Sequence, residues 1–238
     1  MATDALLTVR SLSAWYGRAR ILFDIDLEIG RGEVVALMGR NGAGKSTTLK
    51  AIMGLVERTQ GEVVFRGRDL GRAQPFEIAR LGLGYVPEDR RIFTDLSVLE
   101  NLEVGRQPAR DGAPNWTPAK LFRIFPNLAE LQSRAGGRMS GGEQQMLTVA
   151  RTLMGNPYLV LLDEPSEGIA PRIVEEMANL ILELKNEGLS VVLCEQNLHF
   201  AALVSDRAYV IEKGQVRFTG SMQALAQDEP LKREYLSL

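Results

Sequence analysis

Apolar positions recur with two periods along this chain. Residues 5–35 alternate closely enough to predict strands of a small antiparallel layer. Gly61-Glu62-Val63-Val64-Phe65-Arg66-Gly67 reads as a further strand and turn of that layer. The runs Val34–Met38, Tyr158–Leu162 and Ser190–Cys194 are almost free of polar residues and predict strands buried on both faces of a parallel sheet. Helical spacing appears at Leu49, Ile52, Met53 and Val56, again from Met146 through Met154, and a third time at Ile173, Met177, Leu180, Ile181 and Leu184. Residues 98–134 carry short helical patterns broken by Pro108, Pro114, Pro118 and Pro126, which suggests a mobile helical subdomain. Residues 208–218 predict a hairpin turning at Lys213-Gly214.

Between the strand at 34–38 and the first helix lies Gly39-Arg40-Asn41-Gly42-Ala43-Gly44-Lys45-Ser46-Thr47, which fills the pattern G-x-x-x-x-G-K-[ST]. The glycines let the loop curl so that successive N–H groups point inward. The helix start adds free donors and roughly half a positive charge, which suit a phosphate. Lys45 supplies a full charge to the outer phosphates, and the Ser46 hydroxyl is suited to magnesium. A second glycine-rich helix start, Met139-Ser140-Gly141-Gly142-Glu143-Gln144-Gln145, follows much later. Taken alone it reads more readily as an ordinary serine-capped helix. One nucleotide needs one cradle, so with the first loop present the second points to a site completed by another copy.

The strand at 158–162 runs into Asp163-Glu164-Pro165. Acids at the C-terminal end of a parallel strand stand where ligands bind in doubly wound sheets. Neighbouring side chains on a strand point to opposite faces, so the two acids are expected to have different tasks. Asp163 is the candidate to hold magnesium beside Ser46, and Glu164 the candidate to polarise the water that attacks the γ-phosphate.

These segments and their order resemble the nucleotide-binding subunit of an ATP-binding cassette (ABC) transporter over nearly all 238 residues. Gly39–Thr47 matches the family's Walker A loop, Ser140 to Glu143 its signature and Leu159 to Glu164 its Walker B strand. Ser166-Glu167-Gly168-Ile169 falls at the D-loop. Tyr16, just before Gly17, matches the aromatic that stacks on adenine. Glu88 stands where most members carry a glutamine, and Gln196 where most carry a histidine. Both departures resemble the ATPases of branched-chain amino-acid importers, the LivF-type subunit. That branch shares the segments Val86-Pro87-Glu88-Asp89-Arg90-Arg91, Met139 to Leu147, and Leu193-Cys194-Glu195-Gln196-Asn197. Importers of urea and short amides share much of the same pattern.

The resemblance implies an α/β fold: a P-loop NTPase core sheet of RecA-like type, an antiparallel β layer, and a helical subdomain at about residues 92–150 of a single domain spanning 1–238. It implies ATP and Mg2+ as ligands. ATP would be bound by Tyr16 and by Gly39, Arg40, Asn41, Gly42, Ala43, Gly44, Lys45, Ser46 and Thr47. Ser46, Glu88 and Asp163 would serve the metal, with Glu164 as base and Gln196 beside the γ-phosphate. Ser140, Gly141, Gly142 and Glu143 would meet ATP held by a partner chain. The implied partners are membrane permease subunits, a second ABC ATPase or a second copy of this chain, and indirectly a solute-binding protein.

Composition narrows the alternatives. The net charge of −2 does not suggest a nucleic-acid surface. Cys194, the single cysteine, excludes an internal disulfide and reads as an inert thiol in an apolar strand. Met1-Ala2-Thr3-Asp4 lacks a basic stretch followed by an apolar one, so no signal peptide is expected. No apolar run reaches the roughly 18 residues of a membrane span. The resemblance to a transporter subunit implies a peripheral location on the cytoplasmic face of the membrane, with other chains crossing the bilayer. A soluble ABC protein acting on ribosomes or DNA remains an alternative, although this chain shows one cassette and no coiled coil. A P-loop kinase or GTPase would leave the signature without a purpose. Arg90 and Arg91 either face a membrane subunit or form a solvated basic edge. His199 reads as a helix-surface residue.

Overall fold

The computed structural model describes residues 5–236; the Met1–Asp4 segment lies outside the described residues. The chain opens with β1 (Leu7–Tyr16) and β2 (Ala19–Ile29), an antiparallel pair, and continues into β3 (Val34–Met38) and α1 (Lys45–Ile52). It then passes through β4 (Arg58–Phe65), β5 (Arg68–Asp69), α2 (Pro75–Arg80) and β6 (Leu83–Val86). Three short helices follow, α3 (Val98–Val104), α4 (Pro118–Ile124) and α5 (Pro126–Glu130), and then the longer α6 (Gly141–Leu153). The remainder is β7 (Leu159–Asp163), α7 (Pro171–Asn186), β8 (Ser190–Glu195), α8 (Leu198–Val204), β9 (Arg207–Glu212), β10 (Gln215–Ser221), α9 (Met222–Gln227) and α10 (Glu229–Tyr235).

The strands form two sheets. An antiparallel layer has the order β2-β1-β4-β5, and a six-stranded sheet the order β10-β9-β3-β8-β7-β6. In the larger sheet all neighbours from β9 to β6 are parallel, and only β10 runs against its neighbour. The three apolar runs are its central strands, and every residue of β3, β7 and β8 is buried. Alternate residues serve different cores. Val35, Leu37, Leu159 and Leu161 pack toward α1 and the antiparallel layer, while Val34, Val160 and Leu162 pack toward α3, α6 and α7. A polar residue in these runs would be buried on one face or the other, which is why they are almost wholly apolar, with Ser190 at the start of β8 the exception. Truncating one of the leucines to alanine costs about 2–5 kcal/mol by the usual cavity penalty.

Some boundaries differ from the pattern. β4 begins at Arg58 and runs through Gly61, whose φ of 103° marks a distortion in the strand opposite Arg10 and Ser11. α1 ends at Ile52, and Val56 is buried beyond its end. The prolines at 118 and 126 each start a short helix, as their fixed φ and missing N–H favour. Cys194 is fully buried, and burial raises its thiol above the usual range. His199 is exposed on α8.

The β9–β10 hairpin turns at Lys213 and Gly214, with φ of 49° and 74°. Two left-handed residues in a two-residue connection form the turn whose twist suits paired strands. Gly214 also joins the layers: its N–H donates to the Ala43 carbonyl (2.8 Å) and its carbonyl accepts from Phe23 N–H (2.8 Å). A Cβ there would lie 1.9 Å from the Ile21 carbonyl oxygen, so only glycine fits. One turn thus props the glycine-rich loop from behind and fastens it to β2.

Candidate functional site

Four adjacent parallel strands, β3, β8, β7 and β6, end at one edge of the sheet. The segments that follow them therefore meet: the glycine-rich loop after β3, Gln196 after β8, Glu164 after β7 and Glu88 after β6. An open cleft of about 480 Å³ lies there, lined by Tyr16, Asn41, Lys45, Ser46, Glu88 and Glu164 among others.

The loop curls because its glycines accept conformations closed to other residues. Gly42 and Gly44 have φ of 76° and 114°, and Gly44 is the residue that caps α1. A Cβ on Gly39 would stand 2.3 Å from the Ile211 carbonyl oxygen. Arg40 is exposed and donates to the Arg233 carbonyl (3.4 Å), Ala43 is buried beneath the loop, and Thr47 lines the cleft. Tyr16 stands half exposed at the end of β1, with its ring available to a flat apolar ligand.

Lys45 is buried, and its ammonium donates to the carbonyls of Gly39 (2.9 Å) and Arg40 (3.2 Å) and pairs with Glu164 Oε1 (3.0 Å). The other Glu164 oxygen accepts from Gln196 Nε2 at 2.9 Å. Burial pushes the Glu164 carboxyl up, but hydrogen bonds with Glu167, Lys45 and Gln196 carry it below the usual range. It is therefore ionised at neutral pH. Asp163 and Glu164 do not simply alternate across a strand. Asp163 is the last residue of β7, whereas Glu164 turns off it in the left-handed region (φ 47°). That strained turn aims Glu164 at Lys45.

Asp163 is buried and accepts from the Tyr85 hydroxyl at 3.0 Å. Its Oδ1 has no hydrogen-bond partner. The Ser46 hydroxyl is near enough to lower the Asp163 pKa without completing a hydrogen bond to that oxygen, while burial, the larger influence, raises it. Burial, then the charge and hydrogen bond of Asp163, lift the Tyr85 phenol above its usual value and keep it a donor. A buried carboxylate oxygen without a donor, beside a serine hydroxyl, is a fit for a hard cation.

Ser140 caps α6, its hydroxyl accepting from Glu143 N–H (3.4 Å) while Glu143 Oε2 accepts from Ser140 N–H (2.6 Å). Gly141 and Gly142 are the first two residues of the helix, and none of these four lines the phosphate-loop cleft. Arg90 and Arg91 are both left-handed (φ 62° and 47°) and have separate surroundings. The Arg90 guanidinium lies close over Gly141, 2.8 Å from where a Cβ would be, whereas Arg91 pairs with Asp89.

Three contributors were not singled out in the sequence. Tyr85 lay inside an ordinary-looking strand. Glu167 lines the cleft and shares a hydrogen bond with Glu164, which pushes its carboxyl up to about 7. Glu195 ends β8 as a buried acid, and an acid closing a run with no other polar interior residue was the available signal.

The family model of the ABC transporter matches residues 22–167. The chain is 38% identical over 97% of its length to the high-affinity branched-chain amino acid transport ATP-binding protein BraG of Pseudomonas aeruginosa, of which 99% is covered. It is 34% identical over 98% of its length to the lipopolysaccharide export system ATP-binding protein LptB of Haemophilus influenzae, with 97% of that protein covered. It is also 34% identical to a probable branched-chain amino acid transport ATP-binding protein LivF of Archaeoglobus fulgidus, over 96% of this chain and 97% of that one. Among solved structures, an ATP-binding cassette of an ABC transporter in its ADP conformation superimposes with a TM-score of 0.80 at 26% identity, over 96% of this chain and 97% of that one. With its P-loop NTPase fold, the chain belongs to the ABC transporter family, as an ATP-hydrolysing subunit.

Proposed function

We propose that this subunit powers the uptake of branched-chain or other apolar amino acids, from the cytoplasmic face of the membrane and through a separate permease. The likeness to BraG over nearly the whole chain carries the choice of solute class. The reading is supported by Glu88 and Gln196, the two positions that set this branch apart in the sequence: one lines the cleft and the other touches Glu164. The similarity to LptB favours a second reading, in which the same motor serves lipopolysaccharide export.

In the proposed cycle the loop amides and the start of α1 receive the phosphates of ATP, and Lys45 exchanges Glu164 for the outer phosphate. Tyr16 stacks on the adenine. Mg2+ would be held by Ser46 and Asp163, with Glu88 reaching toward it, and would neutralise charge on the phosphates. Among the described residues no three acidic, histidine or cysteine side chains converge into a cation cage. Magnesium is commonly held this way, by one or two carboxylates plus substrate phosphates. Released from Lys45, the Glu164 carboxylate takes a proton from the attacking water, and Gln196 keeps it oriented. Ser140, Gly141, Gly142 and Glu143 of a partner ATPase, a sister chain or a second copy, close over the γ-phosphate. Hydrolysis removes that bridge and lets the pair open.

A permease partner is supported by the surface. None of the described helices is long and apolar enough to cross a membrane. Leu55, Phe76, Phe93 and Val104 are exposed around an open groove of about 540 Å³ that Arg80, Arg91 and Arg151 also line. An apolar patch of this kind with a basic rim suits a docked protein segment. The test is deletion of the gene followed by uptake of labelled leucine and urea and assay of surface lipopolysaccharide. Loss of leucine uptake alone is expected. Loss of urea uptake would move the solute to the short amides. Intact uptake with failed lipopolysaccharide export would overturn import and leave the ATPase.

A further inference from the structure

Four charged side chains are buried among the described residues: Lys45, Asp163, Glu164 and Glu195. Glu195 alone has no part in the chemistry above. Its two oxygens serve different segments. Oε1 accepts from the backbone N–H of Ser166 at 3.0 Å. Oε2 accepts from the N–H groups of Gln196 (3.2 Å) and Asn197 (3.4 Å). Ser166 lies two residues beyond Glu164, in a turn closed by Glu167 N–H on the Glu164 carbonyl (3.1 Å). Gln196 reaches back to the Glu164 carboxylate through its side chain. Glu195 thus closes a ring of contacts whose other members are the left-handed turn that presents Glu164 and the amide that orients it.

We infer that Glu195 is a positioning residue for ATP hydrolysis, clamping the Glu164–Glu167 turn to the Gln196 segment so that the Glu164 carboxylate holds its orientation. The chemistry explains why an acid is buried there. Burial raises its carboxyl above the usual range, while the Ser166 hydroxyl and the three backbone N–H groups facing it pull the other way, as donors that a carboxylate accepts in charge-assisted hydrogen bonds. A glutamine of the same size would set its own N–H2 against one of those donors and leave that donor unsatisfied. The inference rests on Glu164 as the base, and the experiment separates the two.

Steady-state ATPase kinetics and ADP binding are measured for Glu195→Gln, Glu164→Gln, Gln196→Ala and the double variant of Glu195 and Gln196. Small displacements of a catalytic group lower rates steeply, so Glu195→Gln should reduce kcat roughly tenfold to a hundredfold. KM for ATP and Kd for ADP should stay within about twofold, because Glu195 touches neither the loop nor the cleft. The double variant should be less impaired than the product of the single effects, since both act through Glu164. Parental kcat in a folded Glu195→Gln protein would overturn the clamp, as would a parallel loss of ADP affinity or fully multiplicative effects. If Glu164→Gln itself hydrolyses ATP at the parental rate, the base assignment fails instead. Should Glu195→Gln not fold, Glu195→Asp keeps the charge on Gln196 and Asn197 but withdraws from Ser166. It should show the same split, and parental kcat there would equally overturn the clamp.

Discussion

The Nζ of Lys45 lies 3.0 Å from Oε1 of Glu164, and both side chains are almost fully buried. Each is the other's charge partner at the floor of the cleft. In the function proposed above, an incoming phosphate would compete with Glu164 for the lysine, so that binding of ATP and release of the base would be one event. Such an arrangement would keep the carboxylate from acting on water before a phosphate is in place.

Removing either partner should separate binding from chemistry. Lys45→Ala is expected to lose ATP binding and also to lower stability, because Glu164 is left as a buried charge without its cation. Glu164→Gln should bind ATP and lose turnover by about 10²–10⁴-fold, the usual contribution of a general base. Equilibrium binding of a fluorescent ATP analogue alongside phosphate release checks both. Normal ATP affinity in Lys45→Ala, or parental turnover in Glu164→Gln, would reverse the assignments.

Gln196 donates to the oxygen of Glu164 that Lys45 does not hold. A hydrogen bond to a charged group is worth about 1.5–3 kcal/mol, so Gln196→Ala should slow turnover roughly tenfold to a hundredfold. The amide has no proton to titrate near neutrality. Gln196→His should therefore add a titration between about pH 5 and 8 to the rate profile. A profile identical to the parent's would show that position 196 does not act on the base.

Glu167 supplies a pH dependence of its own. Its hydrogen bond with Glu164, reinforced by burial and by nearby negative charge, pushes its carboxyl from the ordinary 4.5 up to about 7. A raised folded-state pKa means that the folded chain keeps a proton which the unfolded chain has released. The contribution to stability is full below the ordinary value and is lost as pH rises past about 7. Glu167 is exposed, so water screens the stability effect, and the rate is the better readout. Below about 7 the protonated Glu167 donates to Glu164 and weakens it as a base; above, that bond is lost. The ATPase rate should therefore rise between pH 6 and 8, and Glu167→Gln should flatten that limb. A limb unchanged in the variant would assign it to another group.

Much of this site was legible because its chemistry constrains the chain locally. Gly42 and Gly44 need left-handed backbone, Lys45 and Ser46 must follow them at the helix start, and unbroken apolar runs mark strands buried on both faces. Other features depend on contacts between distant segments. The turn of Glu164 away from β7 is held by Lys45 and Gln196, so its direction could not be read from alternation along the strand. The clamp proposed for Glu195 depends on the N–H of Ser166, 29 positions away. Arg90 and Arg91 looked equivalent in sequence, yet one covers Gly141 and the other lines the apolar groove.

The groove gives a prediction independent of the chemistry. Phe76 and Val104 are more than half exposed at its edge, and neither lines the nucleotide cleft. Surface substitutions away from special features usually change stability by no more than about 0.5 kcal/mol. Phe76→Glu and Val104→Asp should therefore leave the melting temperature and the ATPase activity of the isolated subunit close to the parent's. Docking of a permease segment in the groove, as proposed, would bury these residues, and a charge placed in a desolvated apolar contact without a partner is strongly unfavourable. Recovery of the permease with the tagged subunit from solubilised membranes should fall at least tenfold, a loss of about 1.4 kcal/mol or more in binding. Transport in cells carrying only the variant should fall with it. If the complex forms normally with both variants while hydrolysis is intact, the permease docks elsewhere and the groove must be assigned to another partner.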